Sequence, residues 1–257
     1  MVTAADTEID LAGLSLRSDT WIDGIVAFAP DPPGATSHRL IVRNGTISLH
    51  NRYENESGSS GQGVVVPYRA NLIHGKVRNP DPLPARFPKV EYILENLTIK
   101  TSGEAALLMG DGIIIRNCTI EVEGENALVV YGPNAIIENN RITFRAREID
   151  AHASTGLPSA VDEAPIGRSP KHRAAIYLRA ADNAVVRGNT ISIDERDEPV
   201  SGVAVIDSHN VLIKGNRFNT DVTPVTRHGS SSVTLMENDV KQGFLGKVTA
   251  LPNMELR

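Results

Sequence analysis

Short runs of alternating apolar and polar residues recur along this chain, and each is interrupted by Asn or Gly at the same place. The segment ILENLTI at 93–99 is followed by IIRNCTI at 114–120, IIENNRI at 136–142, VVRGNTI at 185–191, LIKGNRF at 212–218 and TLMENDV at 234–240. Two earlier segments, VRNGTI at 42–47 and LIHGKV at 72–77, fit more loosely. The last apolar residue of each falls at 47, 77, 99, 120, 142, 191, 218 and 240, so four of the seven intervals are 21 or 22 residues. The 49-residue interval equals one unit plus a 27-residue insertion, and the intervals of 30 and 27 are units with enlarged loops.

Such a unit is too short for two helices, helical periodicity is absent, and the Leu-x-x-Leu-x-Leu pattern of leucine-rich repeats is missing. Each unit reads as strand, Asn/Gly corner, short strand, loop and third strand. Asn and Gly tolerate the left-handed backbone that a sharp corner requires, and stacked Asn side chains can bond along the stack. The third strand falls at 63–69, 105–109, 127–131, 174–179 and 202–207, and 223–227 belongs to the same column. The expected fold is all-β: one single-stranded parallel β-helix of about nine coils across residues 1–257. Residues 1–20 would form the N-terminal cap and first coil, 145–173 a long loop, and 243–257 a cap or tail.

Composition narrows the partners. Hydrophobic residues make up 40% of the chain and aromatics only 4%, so Val, Ile and Leu must fill the interior. A net charge of −5 offers no basic field for phosphate contacts, which argues against nucleic acid. No run approaches the ~20 apolar residues of a membrane span. The acidic start, Met1 to Asp10, has neither a basic region nor an apolar run, so the chain as given reads as cytoplasmic unless a signal was removed. The lone Cys118 sits in a repeat position and is expected as a small buried hydrophobe, not a nucleophile. Asn-x-Ser/Thr triplets begin at Asn44, Asn55, Asn96 and Asn117; three of them are repeat corners and say nothing of glycosylation.

This pattern, with Ile9-Asp10-Leu11-Ala12-Gly13 followed by Ile41-Val42-Arg43-Asn44-Gly45-Thr46-Ile47, resembles the pectin-lyase-like superfamily of right-handed β-helices over residues 8–242. The resemblance implies a right-handed solenoid and a substrate groove on the outer face of the sheet built from the third strands. It does not choose a reaction. The Asn-Thr-Asp, paired-Asp, Gly-His-Gly and Arg-Ile-Lys set of polygalacturonases is absent, as is the Asp-Pro-His-Asp stretch of alginate epimerases.

The residues add to this independently. Alternation through Ala175-Ile176-Tyr177-Leu178-Arg179 turns Ile176 and Leu178 inward and Tyr177 and Arg179 outward. Aligned coils place Tyr68, Arg69, Tyr131, Asp207, His209, Arg227 and His228 on or just beyond the same sheet. The charged loop 145–173 leads into this strand through Lys171, His172 and Arg173 and is expected either as a lid or as a plain surface excursion. Rings facing sugar faces and arginine pairing with carboxylate would suit a sugar acid; long side chains on a solvated sheet face would look the same. Hydrolysis needs two placed carboxylates, and only Asp207 is evident. Elimination or epimerisation of a uronate needs a base and a cation, which Tyr177, Arg179, Asp207 and His172 could supply without metal, with the other named residues binding substrate. No cofactor is required; the acidic stretches 121–125 and 194–198 could offer Ca²⁺ oxygen ligands but lack a recognised spacing. Two other classes remain: a non-catalytic saccharide-binding or assembly β-helix, homo-oligomeric through its end coils, and a small-molecule isomerase or cyclase.

Overall fold

The computed structural model describes residues 6–19, 23–27, 38–50, 61–66, 72–73, 76–77, 83–124, 126–146, 172–194, 200–241, 248–250 and 254–256. Among these there is no helix, and so none long and apolar enough to cross a membrane. The strands stack in parallel, rung upon rung. His38–Leu49 lies on Lys89–Thr101, which carries Asp111–Arg116 along its first half and Thr119–Gly124 along its second. Each later rung repeats that split as two short strands, ending with Val233–Met236 and Asp239–Lys241. A separate seven-stranded parallel sheet stacks Ile25–Val26, Val64–Val66, Ala106–Met109, Asn126–Tyr131, Arg173–Arg179, Val200–Ile206 and Thr223–His228. The chain is a parallel β-helix with one sheet bent at a corner and a second sheet facing it.

The corner is where the Asn/Gly column said it would be. Asn44, Asn96, Asn117, Asn139, Gly188 and Gly215 all have φ between 53° and 63°. In the last rung Glu237 takes the same left-handed conformation (φ 52°) without the usual side chain for it. The next residue of each later rung points inward and forms a buried ladder of Asn140, Asn189, Asn216 and Asn238. Asn140, Asn189 and Asn216 each donate to the next Oδ1, and all four amides donate to a backbone carbonyl, so the bend is held by bonds that run along the solenoid axis. Cys118 occupies this column one rung earlier and is buried; desolvation pushes its thiol up to about 11, so it packs as an inert hydrophobe.

One sequence expectation fails. Leu72–Ile73 and Lys76–Val77 pair antiparallel with each other as a small hairpin, not as a rung. His38–Leu49 stacks directly on Lys89–Thr101, so residues 72–77 are an excursion inside one enlarged coil. Their apolar pattern matches the repeat because two short apolar pairs look alike in sequence whether they pair with each other or with other rungs.

The ends differ in construction. At the C-terminus Val248–Ala250 and Met254–Leu256 run antiparallel against Asp239–Lys241 and Val233–Met236, which covers the final strand edges. At the N-terminus Asp6–Asp10 and Ser15–Ser18 form the outermost rung, with Leu14 and Leu16 exposed. Residues 147–171 of the long loop lie outside the described residues, as do Tyr68, Arg69 and Lys171.

Candidate active site on the seven-stranded sheet

The two sheets treat their outer faces differently. In the bent sheet buried and open positions alternate, as in Thr119–Gly124 and Arg141–Ala146. In the seven-stranded sheet Asn126–Tyr131 and Val200–Ile206 are buried at every position, on both faces. The outer face carries Leu107, Met109, Val129, Tyr131, Tyr177, Ala204 and Ile206, all buried. The outer face is therefore an enclosed strip and not a plain solvated sheet face, with Tyr131 0% and Tyr177 3% exposed.

A small residue recurs at one register position near the start of six of the seven strands: Gly24, Gly63, Ala105, Ala127, Ala175 and Gly202 occupy successive rungs, and Pro224 follows in the last. Pairing skips Ala127, Ala175 and Gly202, which marks a kink. There a side-chain direction points along the axis: a Cβ on Gly63 would stand 2.3 Å from the Ala105 carbonyl oxygen, and one on Gly202 2.5 Å from that of Pro224. Just before the kink a polar residue stacks in the same register on four successive rungs, Asp23, Gln62, Glu104 and Asn126, with Ser201 beyond Ala174.

This polar column is partly linked. The Gln62 backbone N–H donates to Asp23 (3.1 Å) and its side-chain amide donates to Glu104 (2.5 Å). Two buried atoms on either side of Glu104, Gln62 Oε1 and Asn126 Nδ2, have no partner. Burial raises the pKa of both Asp23 and Glu104, and each carboxyl has the other nearby to reinforce this for Glu104. The column also meets the tyrosines. The Tyr131 hydroxyl is held protonated well above its ordinary range, chiefly by burial, with Tyr177 and Glu104 adding to the effect and Arg179 opposing it.

The sequence-derived residues distribute unequally around this column. Tyr131 and Tyr177 share the outer face with ring centroids 6.1 Å apart. Arg179 lies close enough to the Tyr177 hydroxyl to work against the effect of burial on it, while its own buried Nε finds no acceptor. Burial raises the Tyr177 pKa, and nearby Asp207 adds to it. Asp207 is itself an exposed corner residue (φ 46°) whose Oδ1 accepts from the Ser230 N–H at 3.4 Å. His228 shares the register column of Arg179 and stacks on His172 (centroids 3.4 Å); burial lowers its pKa. Arg173 opens its strand half-buried, and its carbonyl accepts from Ser201 Oγ.

One placement is corrected. Arg227 pairs with Val205 and so shares the inward column of Leu178 and Val205; it donates to the Ser231 carbonyl in the last rung. His209 lies just beyond the sheet, exposed past the corner, where its backbone N–H donates to Asp182 at 2.7 Å. Aligned coils group Arg227 with His228, but consecutive strand residues face opposite ways, and only His228 shares the outward register. Of the acidic stretches considered for Ca²⁺, Glu121 pairs with Lys100, and Arg145 bridges Glu123 and Asp194. Among the described residues no group of three His, Cys, Asp or Glu is placed to hold a metal.

Glu104, Gln62 and Asn126 had escaped the sequence reading, yet a signal existed: a polar residue directly before Gly or Ala at the head of an apolar run, as in Gln-Gly-Val-Val-Val, Glu-Ala-Ala-Leu-Leu and Asn-Ala-Leu-Val-Val. Glu104 also sets a pH dependence. Its folded pKa is raised, so the folded state binds the proton more tightly, and the associated stability is present below the ordinary value of 4.5 and lost as pH rises through the folded pKa. Glu104→Gln keeps an acceptor for Gln62 and removes the charge. Denaturant titrations should show the variant gaining on the native protein as pH rises from acid to neutral; parallel curves would refute the burial cost.

Comparison with known proteins agrees with the stacking. No curated protein and no solved structure matches the chain. A family model described as "right handed beta helix region" matches residues 44–248, from the first Asn corner to the strand that closes the C-terminal edge. Together with its parallel rungs, left-handed corners and buried Asn ladder, this match places the chain in the right-handed β-helix family.

Proposed function

We propose that the outer face of the seven-stranded sheet is the active site of a carbohydrate-active enzyme that eliminates or epimerises an anionic, uronate-type saccharide. The observation that supports this reading most is the company kept by Arg179. A guanidinium with a buried, acceptor-free Nε sits near the Tyr177 hydroxyl, while the neighbouring Tyr131 hydroxyl lies within electrostatic reach of a carboxyl of raised pKa, Glu104. Cation, hydroxyl donors and base are what the chemistry requires.

Arg179 pairs with the sugar carboxylate and takes up the negative charge that develops on it. Glu104, once ionised, is a stronger base than an ordinary carboxylate and removes the proton α to that carboxylate. In elimination the released electron pair forms the ring double bond, and the departing glycosidic oxygen takes its proton from a tyrosine hydroxyl kept protonated by burial. In epimerisation the carbanion is reprotonated on its other face. The unpaired Gln62 Oε1 and Asn126 Nδ2 offer one acceptor and one donor for sugar hydroxyls.

The burial of Tyr131 and Tyr177 favours a second reading on the same groups, a small acidic sugar or other small molecule isomerised in an enclosed site. A panel of uronate polymers, short oligomers and monomers decides both, read by the ultraviolet absorbance of unsaturated product and by solvent-proton exchange at the α carbon. Turnover of oligomers supports elimination or epimerisation of saccharides, and turnover of monomers alone supports the small-molecule reading. Arg179→Ala and Glu104→Gln should each lower kcat/KM by about 10²–10⁴-fold. Full activity in both variants, or neither product nor exchange with any uronate, overturns the proposal, and binding without turnover makes the chain a saccharide-binding β-helix.

A further inference from the structure

On the outer face of the bent sheet, cations are matched to acids on the neighbouring rungs. Arg116 pairs with Glu95, Arg187 with Glu138, and Arg145 lies between Glu123 and Asp194. One column breaks this rule. Arg141 has Thr119 before it and Thr190 after it, and Arg217 follows Thr190. Among the described residues no carboxylate comes within 4.0 Å of Arg141 or Lys241, and Asp239 reaches Arg217 only at 3.9 Å. These residues, with Thr190 and Asn219, line a pocket of about 510 Å³.

We propose that this pocket is an oxyanion-binding site, separate from the seven-stranded sheet and independent of the function proposed for it. Three cations face one carboxylate, whereas Arg116, Arg187 and Arg145 elsewhere on the same sheet each meet at least one acid. Adjacent rungs are about 4.8 Å apart, which sets the Arg141 and Arg217 backbones about 10 Å apart with the Thr190 hydroxyl between them. Two guanidiniums reaching in from either side can each present a two-pronged donor to one sulfate, phosphate or carboxylate group. Thr190 adds a hydroxyl donor, and Lys241 sits beside Asn219 in the next outward column. Arg145, on the same strand as Arg141, cannot serve in this way because both its neighbours are acids.

The test titrates the full chain with sodium sulfate and, separately, with an oligogalacturonate, following the backbone amide signals of Thr190 and Asn219 by NMR. Saturable shifts at these two amides are expected, weakening as ionic strength rises. The double variant Arg141→Gln/Arg217→Gln should bind at least tenfold more weakly, while Arg145→Gln, a same-strand control, should bind like the native chain. Arg141 and Arg217 are exposed and Arg145 half-buried, and thermal unfolding checks that each variant is folded. Tenfold tighter binding of oligogalacturonate than of sulfate assigns the site to an acidic glycan, and equal affinity assigns it to the free oxyanion. Absence of saturable shifts with both probes, or equal binding by native chain and double variant, overturns the proposal.

Discussion

Asn189→Ala is expected to cost the fold about 3–5 kcal/mol, read as a loss in denaturant midpoint. Asn189 sits in the middle of the buried ladder. Its Oδ1 accepts from the backbone N–H of Asn140 (2.9 Å) and from the Asn140 side chain (3.0 Å). Its Nδ2 donates to the Ile137 carbonyl (2.9 Å) and to Asn216 Oδ1 (2.9 Å). Alanine leaves the Asn140 N–H and the Ile137 carbonyl short of partners in an interior that water does not reach. Each such buried orphan costs about 1–3 kcal/mol, and a small cavity adds to it. Asn219→Ala is the control: that side chain donates once, to Ser192 Oγ at 3.4 Å, from a partly buried position, and should shift stability by no more than about 0.5 kcal/mol. Equal losses for the two variants would mean that the ladder is decoration and that the corner is held by backbone alone.

Gly63→Val should be at least as damaging, about 3 kcal/mol or more, with the N-terminal rungs the first to lose protection from hydrogen exchange. The obstacle at Gly63 is space: its Cβ would stand 2.3 Å from the Ala105 carbonyl oxygen and 3.1 Å from Ile99 Cγ2. A backbone oxygen held in the inter-rung ladder cannot swing aside as a side-chain tip can, so two rungs must part. Gly215 makes the contrast. It has φ 62° and nothing within 4 Å of its would-be Cβ, so Gly215→Ala pays only the left-handed penalty of about 1–2 kcal/mol. A Gly63→Val protein as stable as Gly215→Ala would show that the solenoid can open locally at the kink.

Much of the solenoid could be read directly from the chain, and the reason is its one-dimensional construction. Each rung meets only the rungs before and after it, so a local signal is repeated in register and survives noise in any one copy. Ile99, Ile120, Ile142 and Ile191 recur because the same inward site recurs, and Asn96, Asn117 and Asn139 recur because the same corner does. The excursion at 72–77 escaped because it imitates one rung and has no second copy to expose it. Tyr177 and Arg179 were placed on the right face by alternation alone. Arg227 was grouped with His228 by coil alignment, and alternation within the strand sets the two on opposite faces.

The covered outer face was also present in the residues, in a form easily passed over. Ala-Leu-Leu-Met, Ala-Leu-Val-Val-Tyr and Gly-Val-Ala-Val-Ile are continuous apolar runs, and a parallel strand buried on both sides reads that way, whereas the bent sheet alternates. Glu104 illustrates the opposite limit. Its place before Ala105 marks it as a kink residue, but its raised pKa comes from desolvation, from Asp23 two rungs away and from the enclosure of that strip. None of these is a property of neighbours in sequence.

By itself, then, the order of residues determined the solenoid: the period, the corners, the buried column and the inward register follow from which side chains can bend, stack or be buried. Tertiary structure alone decided what gathers across rungs. It brought Arg179 near Tyr177, set Glu104 between two unpaired amide atoms, and put Arg141 and Arg217 on either side of Thr190 with Asp239 as the one acid beside them. The physical reason is range. Backbone preference and burial act residue by residue and repeat with the rung, but desolvation and charge act through space, where the insertions between rungs fix which side chains meet.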